Sequence, residues 1–217
     1  QQTRTSGGAM MKYVIGLMLV LASSQAVAKD ACSDRGSDDH TAVTSALISM
    51  YQQEQEEAAS SDPDKAKSDD DRAKEARKLD DKGWLCSPHD KFYAAWIMRQ
   101  TDDPEQLARA YELAAASMES RVPRSKWLTA YLFDRWHVYL GRDQRYGALT
   151  AVHKNHLCLF IVDAAVGDDE RAQYDMPPIA AQYERVMSDN GLKGPFTWDE
   201  MQRKGLWCPA KGSKKNK

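Results

Sequence analysis

The chain has 217 residues, with 30 lysines and arginines against 32 aspartates and glutamates, which gives a formal net charge of −2. Arg4 and Lys12 lie in the segment that we expect to be removed, and this leaves 28 basic against 32 acidic residues and a net charge of −4. That balance argues against nucleic acid as the natural partner and against broad electrostatic binding to an anionic membrane.

Residues 11–28 predict a secretory signal peptide. Lys12 supplies the basic start, residues 13–22 form an apolar run, and the Ala-Val-Ala triplet at 26–28 is a small-x-small cleavage site. The apolar run is shorter than the roughly 20 residues that span a bilayer. We therefore expect a mature chain that begins near Lys29, a periplasmic or secreted location, and no stable membrane insertion after cleavage. An uncleaved anchor is the alternative.

Composition divides the chain into five segments. They are an upstream or cloning remnant at 1–10, the signal peptide at 11–28, an N-terminal helix with a charged linker at 29–82, a helical core domain at 83–209 and a basic tail at 210–217.

Four cysteines, Cys32, Cys86, Cys158 and Cys208, all follow the cleavage site. An even number in an oxidising compartment predicts two disulfides, and sequence leaves three pairings open. The pairing of Cys32 with Cys86 and of Cys158 with Cys208 is preferred because each bond would tie an arm to the segment that it follows. No Cys-x-x-Cys is present and the spacings are long, so no metal site is expected.

The N-terminal part predicts one helix and a polar connection. Residues 41–57 place Val43 and Leu47 at helical spacing. Residues 58–71 lack large apolar side chains and predict a solvated loop or linker. Residues 72–79 predict a short, charged and lightly packed helix.

The core predicts a helical hairpin and a buried third helix. A helix over 90–100 is followed by Asp103-Pro104, a helix cap with proline at the first helical position, so the next helix runs antiparallel to it. Residues 123–140 are apolar on two faces, which is typical of a helix buried between neighbours.

The C-terminal part predicts a small β-hairpin over 148–162 with Lys154-Asn155 at its turn. A continuous helix over 149–165 is the rival interpretation. Short helices are expected over 168–174, over 177–189 and after Thr197. The predicted fold class is therefore mainly α.

The densest cluster of chemically useful side chains is Asp134, Arg135, Gln144, Arg145 and Tyr146. Asp134 lies on the apolar face of its helix, and a buried carboxylate must be paired or protonated; Arg135 and Arg145 are the nearest partners in sequence. Such a cluster can bind a polar ligand or transfer a proton. As structure, Asp134 would simply tie the helix to the following loop, and this interpretation is favoured.

Two other patterns have an ordinary explanation beside the functional one. His153 and His156 would share a metal on a helix or bracket the turn of a hairpin, and no third ligand lies nearby in sequence. Trp198 and Trp207 would either pack the terminus or mark a partner surface, and packing is favoured. No catalytic nucleophile motif and no glycine-rich phosphate loop are present, so no cofactor is expected.

A series of motifs over about 85–192 resembles an uncharacterised bacterial family with an Ala-Ala helix, an Asp-Arg helix and a Gln-x-Tyr-Gly segment. Here these are Tyr93-Ala94-Ala95-Trp96-Ile97, Ala110-Tyr111-Glu112-Leu113-Ala114, Trp127-Leu128-Thr129-Ala130, Asp134-Arg135, Gln144-Arg145-Tyr146-Gly147 and Met176-Pro177-Pro178-Ile179. The chain departs from the family where Thr101 replaces a histidine and Ala148-Leu149 replaces Thr-Gln. The resemblance implies a shared fold and no function, and it makes 134–147 the first place to look for a site.

Two functional hypotheses follow. The preferred one is an exported, disulfide-stabilised helical binding or interaction protein; an inhibitor or immunity-type partner of another envelope or secreted protein is one form of it. The alternative is an envelope hydrolase or ligand-processing enzyme that uses Asp134, Arg135, Gln144 and Tyr146.

Overall fold

The computed structural model describes residues 32–33, 36–58 and 64–209, apart from the side chains of residues 65 and 66. Within these residues the fold is mainly helical with one two-stranded antiparallel sheet, which confirms the predicted fold class. The helices are α1 Ser37–Ala58, α2 Lys65–Asp81, α3 Pro88–Met98, α4 Pro104–Glu119, α5 Ser125–Tyr139, α6 Asp168–Gln173, α7 Ile179–Asp189 and α8 Trp198–Arg203; the strands are β1 Thr150–His153 and β2 His156–Leu159. The predicted signal peptide at 11–28, the segment 1–10 and the basic tail at 210–217 lie outside the described residues.

Helices α3 and α4 form the predicted hairpin, and both begin at side-chain caps. Ser87 and Asp90 form a reciprocal capping box at the start of α3, where each side chain accepts the backbone N–H of the other. Asp103 accepts the N–H of Glu105 at the start of α4, with Pro104 at the first helical position. These caps satisfy backbone donors that no helical carbonyl can reach.

Helix α5 packs along α4 and is buried through Leu128 and Leu132. It ends in a Schellman motif: the N–H of Arg142 donates to the carbonyl of His137, the N–H of Gly141 donates to that of Val138, and Gly141 has φ of +73°. This ending turns the chain back across the helix and positions the loop that contains Gln144.

Helices α1 and α2 share the core of the hairpin. Val43 and Leu47 from α1 and Ala76 and Leu79 from α2 are buried in the same hydrophobic cluster as α3 and α4. Buried Glu54 on α1 accepts from Arg99, which follows α3. The N-terminal helices are thus fastened to α3 by both apolar and charged contacts.

The linker prediction is wrong for residues 65–71, which belong to α2; residues 59–63 lie outside the described residues. Arg72 binds Glu57 of α1 at 2.8 Å and Asp69 at 2.5 Å, while Ala73 and Ala76 are fully buried. A helix whose buried face consists mainly of alanine has the same composition as a solvated linker, and only its neighbours distinguish the two.

The β-hairpin forms in the predicted place, and the rival helix over 149–165 is wrong. Strands β1 and β2 pair with His153 opposite His156, and Lys154 and Asn155 both have positive φ, at 51° and 64°. Two consecutive left-handed residues build the tight turn that matches strand twist. On its other side β2 meets the C-terminal segment, where Leu159 forms a parallel bridge with Trp207.

The two disulfides join Cys32 to Cys86 and Cys158 to Cys208, which is the preferred pairing. The second bond ties β2 to the C-terminal segment, beside a second hydrophobic cluster that contains Leu159, Met187 and Leu206. None of the described helices combines the length and apolar character that crossing a bilayer requires.

Candidate functional site

Asp134 organises the loop that follows α5. Its side chain has no exposed surface. Oδ1 accepts the backbone N–H of Arg145 at 2.6 Å and that of Tyr146 at 2.9 Å, and Oδ2 accepts those of Tyr146 at 3.1 Å and Ala148 at 2.8 Å. The carboxylate therefore holds three loop amides, which is a structural use of the residue that the sequence marked as a candidate acid.

The positive charge that faces this carboxylate belongs to Arg171 of α6, which is also fully buried. Its guanidinium donates to the carbonyl of Tyr146 and, at 3.0 and 2.8 Å, to that of Pro177. Burial raises the pKa of Asp134 to about 6, and the backbone amides and Arg171 oppose this rise. Burial likewise lowers the pKa of Arg171. Among the described residues the carboxylate that Arg171 contacts is that of Asp168, 3.5 Å from its Nε, and the buried charges of Asp134 and Arg171 stabilise each other at longer range.

The side chains of Arg135 and Arg145 point to other partners, so the predicted pairing of Asp134 with either guanidinium is wrong. Arg135 donates to the carbonyls of Gln100 at 3.2 Å and Thr101 at 3.1 Å, and thereby closes the end of α3. Arg145 binds Glu170 at 2.7 Å. Only the backbone N–H of Arg145 reaches Asp134, because the loop runs past the carboxylate with its amides inward.

Gln144 and Tyr146 are also used internally. Gln144 is fully buried; its Oε1 accepts the N–H of Leu149 at 2.9 Å, and its Nε2 donates to the carbonyl of Phe160 at 2.7 Å. The ring of buried Tyr146 lies 4.6 Å from that of Tyr174, centroid to centroid, and burial raises the pKa of its phenol. Gln144 thus joins the loop to the hairpin, and Tyr146 fills the space beneath it.

The structure brings the backbone of the candidate cluster together and disperses its side chains. Asp134 and Gln144 cannot touch a ligand in solution while the loop keeps this conformation, because neither has exposed surface. The member that sequence reasoning missed is Arg171. Its only sequence signal is a single arginine in the acidic helix start Asp168-Asp169-Glu170, and nothing there indicates that it faces inward.

His153 and His156 face each other across the hairpin, and both are exposed. Across the part of the chain that the structure describes, no group of three or more histidine, cysteine, aspartate or glutamate side chains is arranged to hold a metal ion. A two-histidine pair lacks the third protein ligand that a stable zinc site needs.

The same histidines border an open cleft between the hairpin turn and the C-terminal segment, which we call the C-terminal cleft. Its basic members are His153, Lys154, His156 and Lys204, all exposed, and its apolar members include Leu206 and Trp207. The cleft encloses about 440 Å³. Its sequence signals are the His-x-x-His spacing and the late tryptophans, but sequence does not show that residues 153–156 meet residues 204–207.

Two tryptophans continue the surface beside this cleft. Trp207 packs edge-on against Tyr183, in agreement with the favoured packing role. Trp198 lies 4.3 Å from Trp207, centroid to centroid, and is 39% exposed. An exposed tryptophan against a cleft is an arrangement common at protein interfaces.

Comparison of the chain with protein-family models, with curated proteins and with solved structures finds no match in any of the three. The resemblance to the uncharacterised bacterial family therefore stays a prediction.

Proposed function

We propose that the protein is an exported binding module of the bacterial envelope, in which two disulfides and a helical core present a recognition surface. An inhibitor or immunity-type partner of a secreted enzyme is one form of this function. Two disulfides fit a helical protein that works in an oxidising compartment.

The observation that carries the proposal is the occupation of Asp134. Both of its oxygens accept loop N–H groups, and its charge faces buried Arg171. A general acid or base must reach the proton that it transfers, directly or through one water. The carboxylate of Asp134, the best candidate acid in the cluster, is occupied by hydrogen bonds to the loop, and this supports a structural role for it.

The surface supplies the second support. The C-terminal cleft combines exposed basic side chains with apolar ones, and Trp198 stands beside it. The disulfide between Cys158 and Cys208 holds two sides of this region together. A rigid surface loses less conformational entropy on binding than a mobile one, and this favours recognition.

The alternative, an envelope hydrolase that uses the Asp134 cluster, requires the acid and Gln144 to meet substrate. Both side chains are fully buried, and the guanidinium of Arg135 lies at the end of α3. An enzyme of this kind would have to open the loop at 144–148 and break every hydrogen bond from the loop N–H groups to Asp134.

Export is tested by expressing the full chain in a bacterium, releasing the periplasm and measuring the intact mass. We expect a mature chain that starts at Lys29 with both disulfides and no reactive thiol. The control variant, Ala26→Leu with Ala28→Leu, replaces the small residues of the cleavage site and should stay uncleaved. A wild-type chain retained in the cytoplasm with four free thiols would overturn the proposal.

Binding is tested by crosslinking the mature protein in envelope extract, identifying the captured protein, and measuring the complex of the two purified proteins by calorimetry. We expect saturable binding of defined stoichiometry. The hydrolase alternative predicts instead that Asp134→Asn stays folded and loses turnover of a captured substrate.

A further inference from the structure

We infer that the C-terminal cleft binds an acidic peptide segment of the partner protein. This inference rests on the proposed binding function and names the chemistry of its partner.

Charge is the first argument. Two lysines, Lys154 and Lys204, line the cleft with the imidazoles of His153 and His156, and no aspartate or glutamate lines it among the residues that the structure describes. The Nζ of Lys204 lies 3.7 Å from Oε1 of Glu200, which also pairs with Arg203, so the charge of Lys204 is partly balanced. Lys154 has no ion-pair partner in the described part of the chain, and it stands at the tip of the hairpin turn. The cleft therefore presents positive charge and N–H donors to an incoming group, which suits carboxylates.

Size and lining are the second argument. A volume of about 440 Å³ falls within the range of about 300–1,000 Å³ that is usual for ligand sites. Leu206 and Trp207 add apolar surface, and the indole N–H of Trp207 is buried without a hydrogen-bond partner among the described residues. An acidic sequence that also carries an apolar side chain would match both the donors and the apolar surface.

The apolar part of the cleft is the reason to propose a peptide and not a free anion. Leu192, Leu206 and Trp207 line the cleft together with the lysines, and the exposed Trp198 packs on Trp207. A free anion would leave this apolar surface in contact with water, whereas a peptide carries carboxylates and apolar side chains on one chain.

The test uses the mature, disulfide-intact protein and a fluorescein-labelled Glu-Glu-Phe-Glu-Glu peptide, with binding followed by fluorescence anisotropy at about 10 mM salt, where screening is weak. We expect saturable binding, no binding of Gln-Gln-Phe-Gln-Gln, and a shift of the Trp207 indole N–H signal in NMR spectra. Lys154→Glu with Lys204→Glu should weaken binding by about tenfold or more, because like charges then face each other.

The matched control is Lys67→Glu with Lys78→Glu, which makes the same change in net charge on exposed residues of α2. It should leave the affinity within about twofold. Three results would overturn the inference: an equal loss in the control, no saturable binding of the acidic peptide, or its complete displacement by inorganic phosphate at about the same ionic strength. If the peptide fails while the purified partner still binds, the cleft assignment is wrong and the proposed function stands; failure of export removes the proposed function itself.

Discussion

Asp134 and Arg171 bind the two backbone polar groups of the same residue, Tyr146. The acid accepts the N–H of Tyr146, while the guanidinium donates to its carbonyl oxygen. Two buried opposite charges are thereby coupled through the backbone of one residue, and α5, α6 and the intervening loop are joined at that point. This relationship explains why the most reactive-looking cluster of the sequence is an internal support, and it leads to the first two predictions.

Replacing Arg171 by methionine keeps the apolar stem and removes the charge and every donor. Asp134 would keep its three backbone donors and lose a nearby positive charge, while the carbonyls of Tyr146 and Pro177 would lose their donors. We expect a loss of about 2–4 kcal/mol in the free energy of unfolding, measured by urea denaturation, because two carbonyls lose charged donors. Arg185→Met removes an exposed guanidinium from α7 and should change it by less than about 0.5 kcal/mol. Equal effects would show that Arg171 is not structural.

Replacing Asp134 by asparagine turns one acceptor into an amide donor that faces N–H groups. The loop amides of Arg145, Tyr146 and Ala148 cannot all keep a partner, so we expect a destabilisation of about 3 kcal/mol. Asp143→Asn makes the same chemical change on an exposed residue before the loop and should be nearly neutral. A variant at Asp134 with unchanged stability would contradict the template role of the carboxylate.

The pH dependence of stability gives an independent test of the same carboxyl. Its pKa in the folded protein is about 6, above the ordinary 3.8, so the folded state binds the proton more tightly than the unfolded state does. The contribution of this group to stability is therefore greatest below pH 3.8 and falls as pH rises to about 6, by up to about 3 kcal/mol.

Because other groups titrate as well, the measurement is the difference in unfolding free energy between the wild type and Asp134→Asn across this range. We expect the advantage of the wild type over the variant to shrink as pH rises from about 4 to 6 and to stay constant above that. Carbon-13 NMR of the Asp134 carboxyl should show its titration near pH 6. A constant difference, or a carboxyl that titrates at its ordinary value, would refute the assignment.

Gly147 allows the loop to approach Arg171. It has φ of +70°, and a Cβ there would lie 3.0 Å from Nη1 of Arg171 and 3.1 Å from Cδ1 of Ile179. Gly147→Ala should therefore cost about 1 kcal/mol for the left-handed backbone and about 1–2 kcal/mol more for crowding. Gly191 has the same φ with open space around it, so Gly191→Ala should cost only the backbone part. Equal losses in thermal denaturation would show that crowding at Arg171 is negligible.

The features that sequence predicts well are those set within about four residues. The cap at Asp103-Pro104 and the hairpin turn at Lys154-Asn155 each depend on local backbone geometry, and each forms as expected. The Ser87–Asp90 capping box is equally local, and it begins α3 at Pro88, two residues before the predicted start at 90.

The charge partners are different because they join residues far apart in the chain. Arg171 lies 37 positions after Asp134, and Arg135 donates to a carbonyl 35 positions before it. Hydrophobic spacing places each side chain on a helix face but does not say which loop will cross that face. The predicted pairing of Asp134 with the guanidinium of Arg135 or Arg145 is therefore wrong, and the C-terminal cleft cannot be identified without the fold.

The disulfide between Cys158 and Cys208 supplies the last prediction, because it closes the chain between β2 and the segment that borders the cleft. Its cysteines are 50 residues apart, so the bond should stabilise the fold by about 4 kcal/mol, because it lowers the conformational entropy of the unfolded chain. The double variant Cys158→Ser with Cys208→Ser should lose that amount of unfolding free energy in urea denaturation. It should also bind the acidic peptide more weakly, because the parallel bridge between Leu159 and Trp207 adjoins the bond.

The matched control, Cys32→Ser with Cys86→Ser, removes a disulfide of similar span, 54 residues, beside the other hydrophobic cluster. It should cost similar stability while the remaining folded protein keeps its peptide affinity. If both double variants lose the same affinity for the peptide, the disulfide between Cys158 and Cys208 stabilises the fold as a whole and not the cleft in particular.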